Sequence, residues 1–99
     1  MPIPQPYTQK VEELRKWFED QTGLSVATDW DFNMIAAMFR FDEGPAVVHL
    51  LRISNVVLSD NSAEQIIESM ENSHWRTVLE SAGPKPVILT STGISLLNN

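Results

Sequence analysis

Two long apolar runs, M-I-A-A-M-F-R-F and A-V-V-H-L-L-R-I, stand on either side of Asp42-Glu43-Gly44-Pro45. A short connection holding a glycine free to adopt positive φ, followed by a proline, predicts a β-hairpin. Residues 32–41 also contain good helix formers, Met34-Ile35-Ala36-Ala37-Met38. The turn and the β-rich stretch from Ala46 to Ile53 assign them to a strand instead. Alternation then puts Ile35, Ala37, Phe39 and Phe41 on one face and Met34, Ala36 and Met38 on the other, with Val47, Leu51 and Ile53 opposite Val48 and Leu50. A sheet that is apolar on both faces needs both covered, and two short helices cover about one. The excess predicts an exposed apolar surface.

Around the hairpin the period changes. From Thr8 to Thr22, Val11, Leu14, Trp17, Phe18 and Gln21 recur at helical spacing, with Glu12, Arg15, Lys16 and Glu19 on the far side. Thr8 is the candidate cap at its start and Gly23 the candidate stop. Leu24, Val26 and Thr28 then alternate as a short strand ahead of a turn at Asp29-Trp30-Asp31. After the hairpin, Ser54-Asn55 reads as a bulge before further strand at Val56-Val57-Leu58. Ser62-Ala-Glu-Gln65 matches a capping box that opens a second helix. That helix carries Ala63, Ile67, Met70, His74 and Val78 as its inner stripe, Ile66 and Trp75 at its edges, and stops at Gly83-Pro84. Pro86 to Ser91 predicts a last strand.

The expected fold class is therefore α+β: an antiparallel sheet of roughly three to five strands with two amphipathic helices, in the order α-β-β-β-α-β. The expected organisation is a proline-rich flexible arm at residues 1–7, one domain over 8–93 and a short apolar tail at 94–99. The element order, small size and acidity are similar to those of bacterial secretion-chaperone-like domains, an analogy of order and not of motif.

Composition narrows the function classes. The formal net charge of −6, from 7 Lys and Arg against 13 Asp and Glu, opposes binding to phosphate backbones, so no nucleic-acid partner is expected. The chain has no cysteine, which removes disulfides, thiolate metal sites and a cysteine nucleophile and is compatible with a reducing compartment. Its start lacks the basic and apolar regions of a secretory leader, and no run approaches the ~18 apolar residues of a membrane span. A cytoplasmic protein with no membrane partner is the expectation.

Catalytic motifs are equally sparse. Gly23, Gly44, Gly83 and Gly93 are isolated, leaving no glycine-rich phosphate cradle, and there is no G-x-S-x-G elbow. His49 and His74 both fall in apolar runs and could face each other with Glu71 nearby, but their spacing matches no metal motif. Hydrogen bonding to backbone is the simpler role for each. No cofactor, no metal and no enzymatic activity are predicted.

The resulting expectation is a small acidic non-enzymatic protein–protein interaction domain, chaperone- or adaptor-like and homodimeric, whose partner is another protein. Ile35, Phe39, Phe41, Val48, Leu50, Ile94, Leu96 and Leu97 are its candidate partner or dimer interface. The alternative is an acidic inhibitor or immunity-type protein that blocks a basic site, although Lys10, Arg15, Lys16, Arg40, Arg52 and Arg76 interrupt the acidic residues. A further option is a small apolar ligand lined by Met34, Met38, Met70 and the tryptophans.

Overall fold

Helix α1, Thr8–Thr22, buries Val11, Leu14 and Phe18 along the stripe that its period dictates. The computed structural model describes residues 2–97. Gly23 ends the helix in the left-handed region, φ 71°, and its amide donates to the Glu19 carbonyl. The start differs from expectation. Tyr7, not Thr8, is the N-cap residue and no side chain caps it. Gln5–Tyr7 forms a 3-10 turn that runs directly into the helix, so the Thr8 hydroxyl donates back to the Pro4 carbonyl instead. Within the expected arm, Ile3 and Tyr7 pack against the core margin, and Tyr7 stacks on Trp30 with centroids 5.9 Å apart.

The sheet contains β1 Ser25–Asp31, β2 Ala36–Glu43, β3 Ala46–Ser54, β4 Pro86–Thr90 and β5 Gly93–Leu96, side by side in chain order. The α+β class and the predicted hairpin are both present: β2 and β3 pair antiparallel with Phe39 opposite Leu51, and the register shifts at Phe41/Asp42. The sheet is not wholly antiparallel, because β3 and β4 run parallel. Parallel neighbours need a long crossover, which residues 55–85 provide as three helices: α2 Asn55–Asp60, α3 Ala63–Asn72 and α4 Trp75–Ala82.

Two of these helices were not expected as such. The predicted strand at Val56-Val57-Leu58 is α2. Ser54 caps it by accepting from the Val57 amide at 3.4 Å, and burial of Val57 and Leu58 overrides the β preference of valine. Lys10 then crosses from α1 to donate to the carbonyls of Leu58 and Asn61 at its far end. The predicted second helix is two helices. Its capping box at Ser62 and Gln65 is formed in both directions, but the helix breaks at Ser73-His74, with His74 left-handed at φ 54°. The buried positions explain the break. Ile66 and Met70 are four residues apart, as are Trp75 and Leu79, yet five residues separate Met70 from Trp75, well over one turn of 3.6. Absorbing that extra residue lets both halves face the core, and it places His74 in solvent rather than in an inner stripe.

One sheet face meets the helices through Val26, Trp30, Ala37, Phe39, Phe41, Leu51, Ile53, Val87 and Leu89. Phe18 is the hub: its ring lies 5.1–5.3 Å from those of Phe39, Phe41 and Trp75, in edge-on contacts. The other face is not a continuous apolar surface. Met38, Leu50 and Ile88 lie there with Arg40 and Arg52 among them. The expected tail supplies Ile94 to Leu96 of β5, while residues 98–99 lie outside the described residues. No helix is long and apolar enough to cross a membrane, among the described residues.

Candidate functional site

The exposed apolar surface gathers at one end of the sheet, in the turn joining β1 to β2. β1 continues through the expected turn at Asp29-Trp30-Asp31, and the chain reverses over residues 32–35 instead. Residues that a strand would have packed therefore project from a turn. Phe32 is 69% exposed, Ile35 53% and Met34 40%, three of the six large exposed hydrophobics among the described residues. A fourth, Val56, is the second residue of α2 and follows Asn55, whose amide donates to the Ile35 carbonyl at 3.0 Å. Together they form an apolar knuckle.

The knuckle is ordered by Asp31. One carboxylate oxygen, Oδ1, accepts from the amides of Asn33 and Met34, both at 3.1 Å, a side-chain mimic of a backbone turn. The other, Oδ2, accepts from Arg52 Nε at 2.7 Å. Both side chains of this ion pair are only 16% exposed. The Arg52 hydrogen bond, followed by the Met34 amide, holds the Asp31 carboxyl below its ordinary pKa. Arg52 Nη1 is buried with no hydrogen-bond partner among the described residues. That opposes the pair by on the order of 1–3 kcal/mol, and the pair forms nonetheless.

Backbone conformation gives the same reading. Ile35 is left-handed at φ 51°, where a β-branched residue is a genuine outlier costing about 1–2 kcal/mol. A glycine or asparagine would hold this turn without that cost. Strain kept in an exposed apolar turn is a reason to look for function there.

The sequence-level candidates divide. Ile35 is in the knuckle. Phe39 and Phe41 are fully buried and are corrected to core positions: both share the inward face with Ala37 and close on Phe18, leaving nothing for a partner. Val48 and Leu50 are half-buried, Ile94 and Leu97 likewise, and Leu96 is 48% exposed, all away from the knuckle. Phe32, Met34 and Val56 lie outside the interface that the apolar pattern predicts. The signal that could have found them is Asp31-Phe32-Asn33-Met34, an aspartate two residues before an asparagine, which favours an Asx turn over a strand start.

The opposite end of the molecule holds a cavity of about 190 Å³ between Thr22, Leu24, His49, Trp75 and Leu79, with Arg76 and Glu80 at its rim. No methionine lines it: Met70 is wholly buried and Met34 is in the knuckle, so the expected methionine-lined ligand site is not assembled. His49 Nδ1 lies 3.1 Å from the Gly83 carbonyl, which fixes the proton on that nitrogen. His49 and His74 border different cavities. Among the described residues no cluster of three or more His, Asp or Glu side chains could hold a metal ion. No family model matches the chain, and neither does any curated protein or solved structure.

Proposed function

We propose that the protein is a non-enzymatic protein–protein interaction domain, chaperone- or adaptor-like, that docks another protein on the knuckle formed by Phe32, Met34, Ile35 and Val56. The observation that carries this reading is the left-handed Ile35 in a turn pinned by Asp31 and Arg52. A pre-ordered apolar protrusion loses little conformational entropy on binding, and exposed aromatic and methionine side chains are typical anchors. The acidic-inhibitor reading has weaker support, since Glu12 and Glu19 pair with Arg15, Asp42 with Arg40 and Asp31 with Arg52, so these carboxylates do not present an unpaired anionic face.

The test is affinity capture from the native cell with wild type and with the Phe32→Ser/Met34→Ser double variant. The expected result is a protein retained by wild type and lost by the double variant, with thermal melting unchanged because both side chains already face solvent. Equal retention by the two would refute the knuckle. Loss of the partner at moderate salt with wild type would move the assignment to the inhibitor.

A further inference from the structure

The two edges of the sheet are built differently. On β1 the outward amides include those of Val26 and Trp30, and each is closed by a carboxylate: Glu19 Oε2 accepts from Val26 at 2.9 Å and Asp29 Oδ1 from Trp30 at 2.9 Å. Capped donors and flanking charge make a poor template for another strand. On β5, the Leu97 amide donates to the Pro86 carbonyl. This fixes the alternation, so that residues 93, 95 and 97 turn their backbone groups toward β4 while Ile94 and Leu96 turn theirs outward. No hydrogen bond among the described residues reaches those outward groups, and β4 is the sole strand neighbour of β5.

The side chains leave this edge equally unguarded. From Pro86 to Asn99 the sequence holds no Asp, Glu, Lys or Arg, the longest uncharged run in the chain. Leu96 is 48% exposed. Edge strands are ordinarily protected by shortness, charge, proline or a bulge within the strand, and Gly93-Ile-Ser-Leu96 has of these only its four-residue length.

We propose that β5 pairs with β5 of a second copy of this chain, antiparallel, about a two-fold axis at Ser95. Ile94 of one copy then exchanges amide and carbonyl with Leu96 of the other, and Leu96 with Ile94. Four main-chain hydrogen bonds form, and two five-stranded sheets join into one. Ile94 and Leu96 meet each other's counterparts on the helix side, covering the exposed leucine. Ser95 faces its counterpart as a non-hydrogen-bonded pair, the closer of the two antiparallel spacings. A second copy fits this edge because the same two residues supply both donors and acceptors, as an isologous interface requires. It fits also because two chains of charge −6 can approach through their uncharged segments without like-charge contact. This pairing is independent of the knuckle, which joins β1 to β2 at the other side of the sheet, with β3 and β4 between it and β5.

The experiment combines sedimentation with cross-linking. Wild type is expected to sediment at twice the 11.2 kDa of one chain at micromolar concentrations. Ser95→Cys, the sole thiol in that variant, is expected to form a disulfide-linked dimer with oxidised glutathione, since the close pair brings Cα atoms to a spacing disulfides accept. Ser59→Cys, on exposed α2, is the control and stays monomeric on a denaturing gel. Leu96→Pro removes two of the four amide donors and is expected to give a folded monomer. Should that variant unfold, Leu96→Lys serves the same purpose at an exposed side chain. A wild type that is monomeric throughout, or a dimer that persists in Leu96→Lys while Ser95→Cys fails to cross-link, overturns the proposal. Phe32→Ser is expected to leave the dimer intact, so failure of the docking reading and failure of this one are separable.

Discussion

The first two of the three hairpin turns of this sheet solve one problem in opposite ways. Between β2 and β3 the positive-φ position is Gly44, at 59°, in a polar sequence of Asp42, Glu43 and Pro45, with open space where a Cβ would go. Between β1 and β2 the positive-φ position is Ile35, at 51°, in a turn whose exposed residues include Phe32 and Met34. The first needs nothing beyond its own sequence. The second is held from outside, by Asp31 and by Arg52 reaching from β3. A turn that folding alone would shape resembles the first, and the departure of the second is the feature on which the proposed docking surface rests.

Five substitutions sharpen this contrast. The largest effect is expected from Asp31→Ala, which strips the acceptors from two amides and leaves Arg52 without its carboxylate. A loss of about 2–3 kcal/mol is expected in urea unfolding. Asp42→Ala in the other turn removes a pair whose Arg40 side chain is 50% exposed and should cost no more than about 1 kcal/mol. Equal losses would mean that the Asp31 clamp does not hold the turn.

Exchanging the left-handed residues comes next. Gly44→Ala is expected to destabilise by about 1 kcal/mol through backbone strain alone, whereas Ile35→Gly is expected to stabilise by about 0.5–1 kcal/mol. Opposite signs in the unfolding midpoints are the check, and a destabilised Ile35→Gly would show that the side chain is needed for folding.

The smallest effect is in pH. Because the folded Asp31 pKa is depressed, its contribution is present above the unfolded value near 4 and disappears as pH falls through the lower folded value. Wild type should therefore lose more stability than Asp31→Asn between about pH 5 and pH 2. Parallel curves for the two would remove the ion pair from the account.

Much of the fold is legible along the chain. The α1 boundaries, the Ser62–Gln65 capping box and the Gly44-Pro45 turn are local signals, each set by residues within a few positions of one another. The failures are also local in origin. Valine's β preference misassigned α2, because burial of Val57 and Leu58 lies outside any short window. Smooth periodicity concealed the break at His74, because the five-residue step from Met70 to Trp75 becomes visible only when a core fixes which face is inward. Within the site, hydrophobicity points equally to Ile35, Phe39 and Phe41, yet Ile35 is exposed while Phe39 and Phe41 are core. Apolar character does not say which side of a sheet the helices will cover.

By itself the sequence determined the α+β class, the amphipathic first helix and the central hairpin, because composition, period and turn chemistry are properties of neighbouring residues. Tertiary structure alone decided that β3 and β4 run parallel, that Phe18 claims Phe39 and Phe41, and that Arg52, twenty-one positions from Asp31, clamps the turn that lifts Phe32, Met34 and Ile35 into solvent. Each of those depends on contacts between residues far apart in the chain, whose energies exist only once the sheet and helices are packed together.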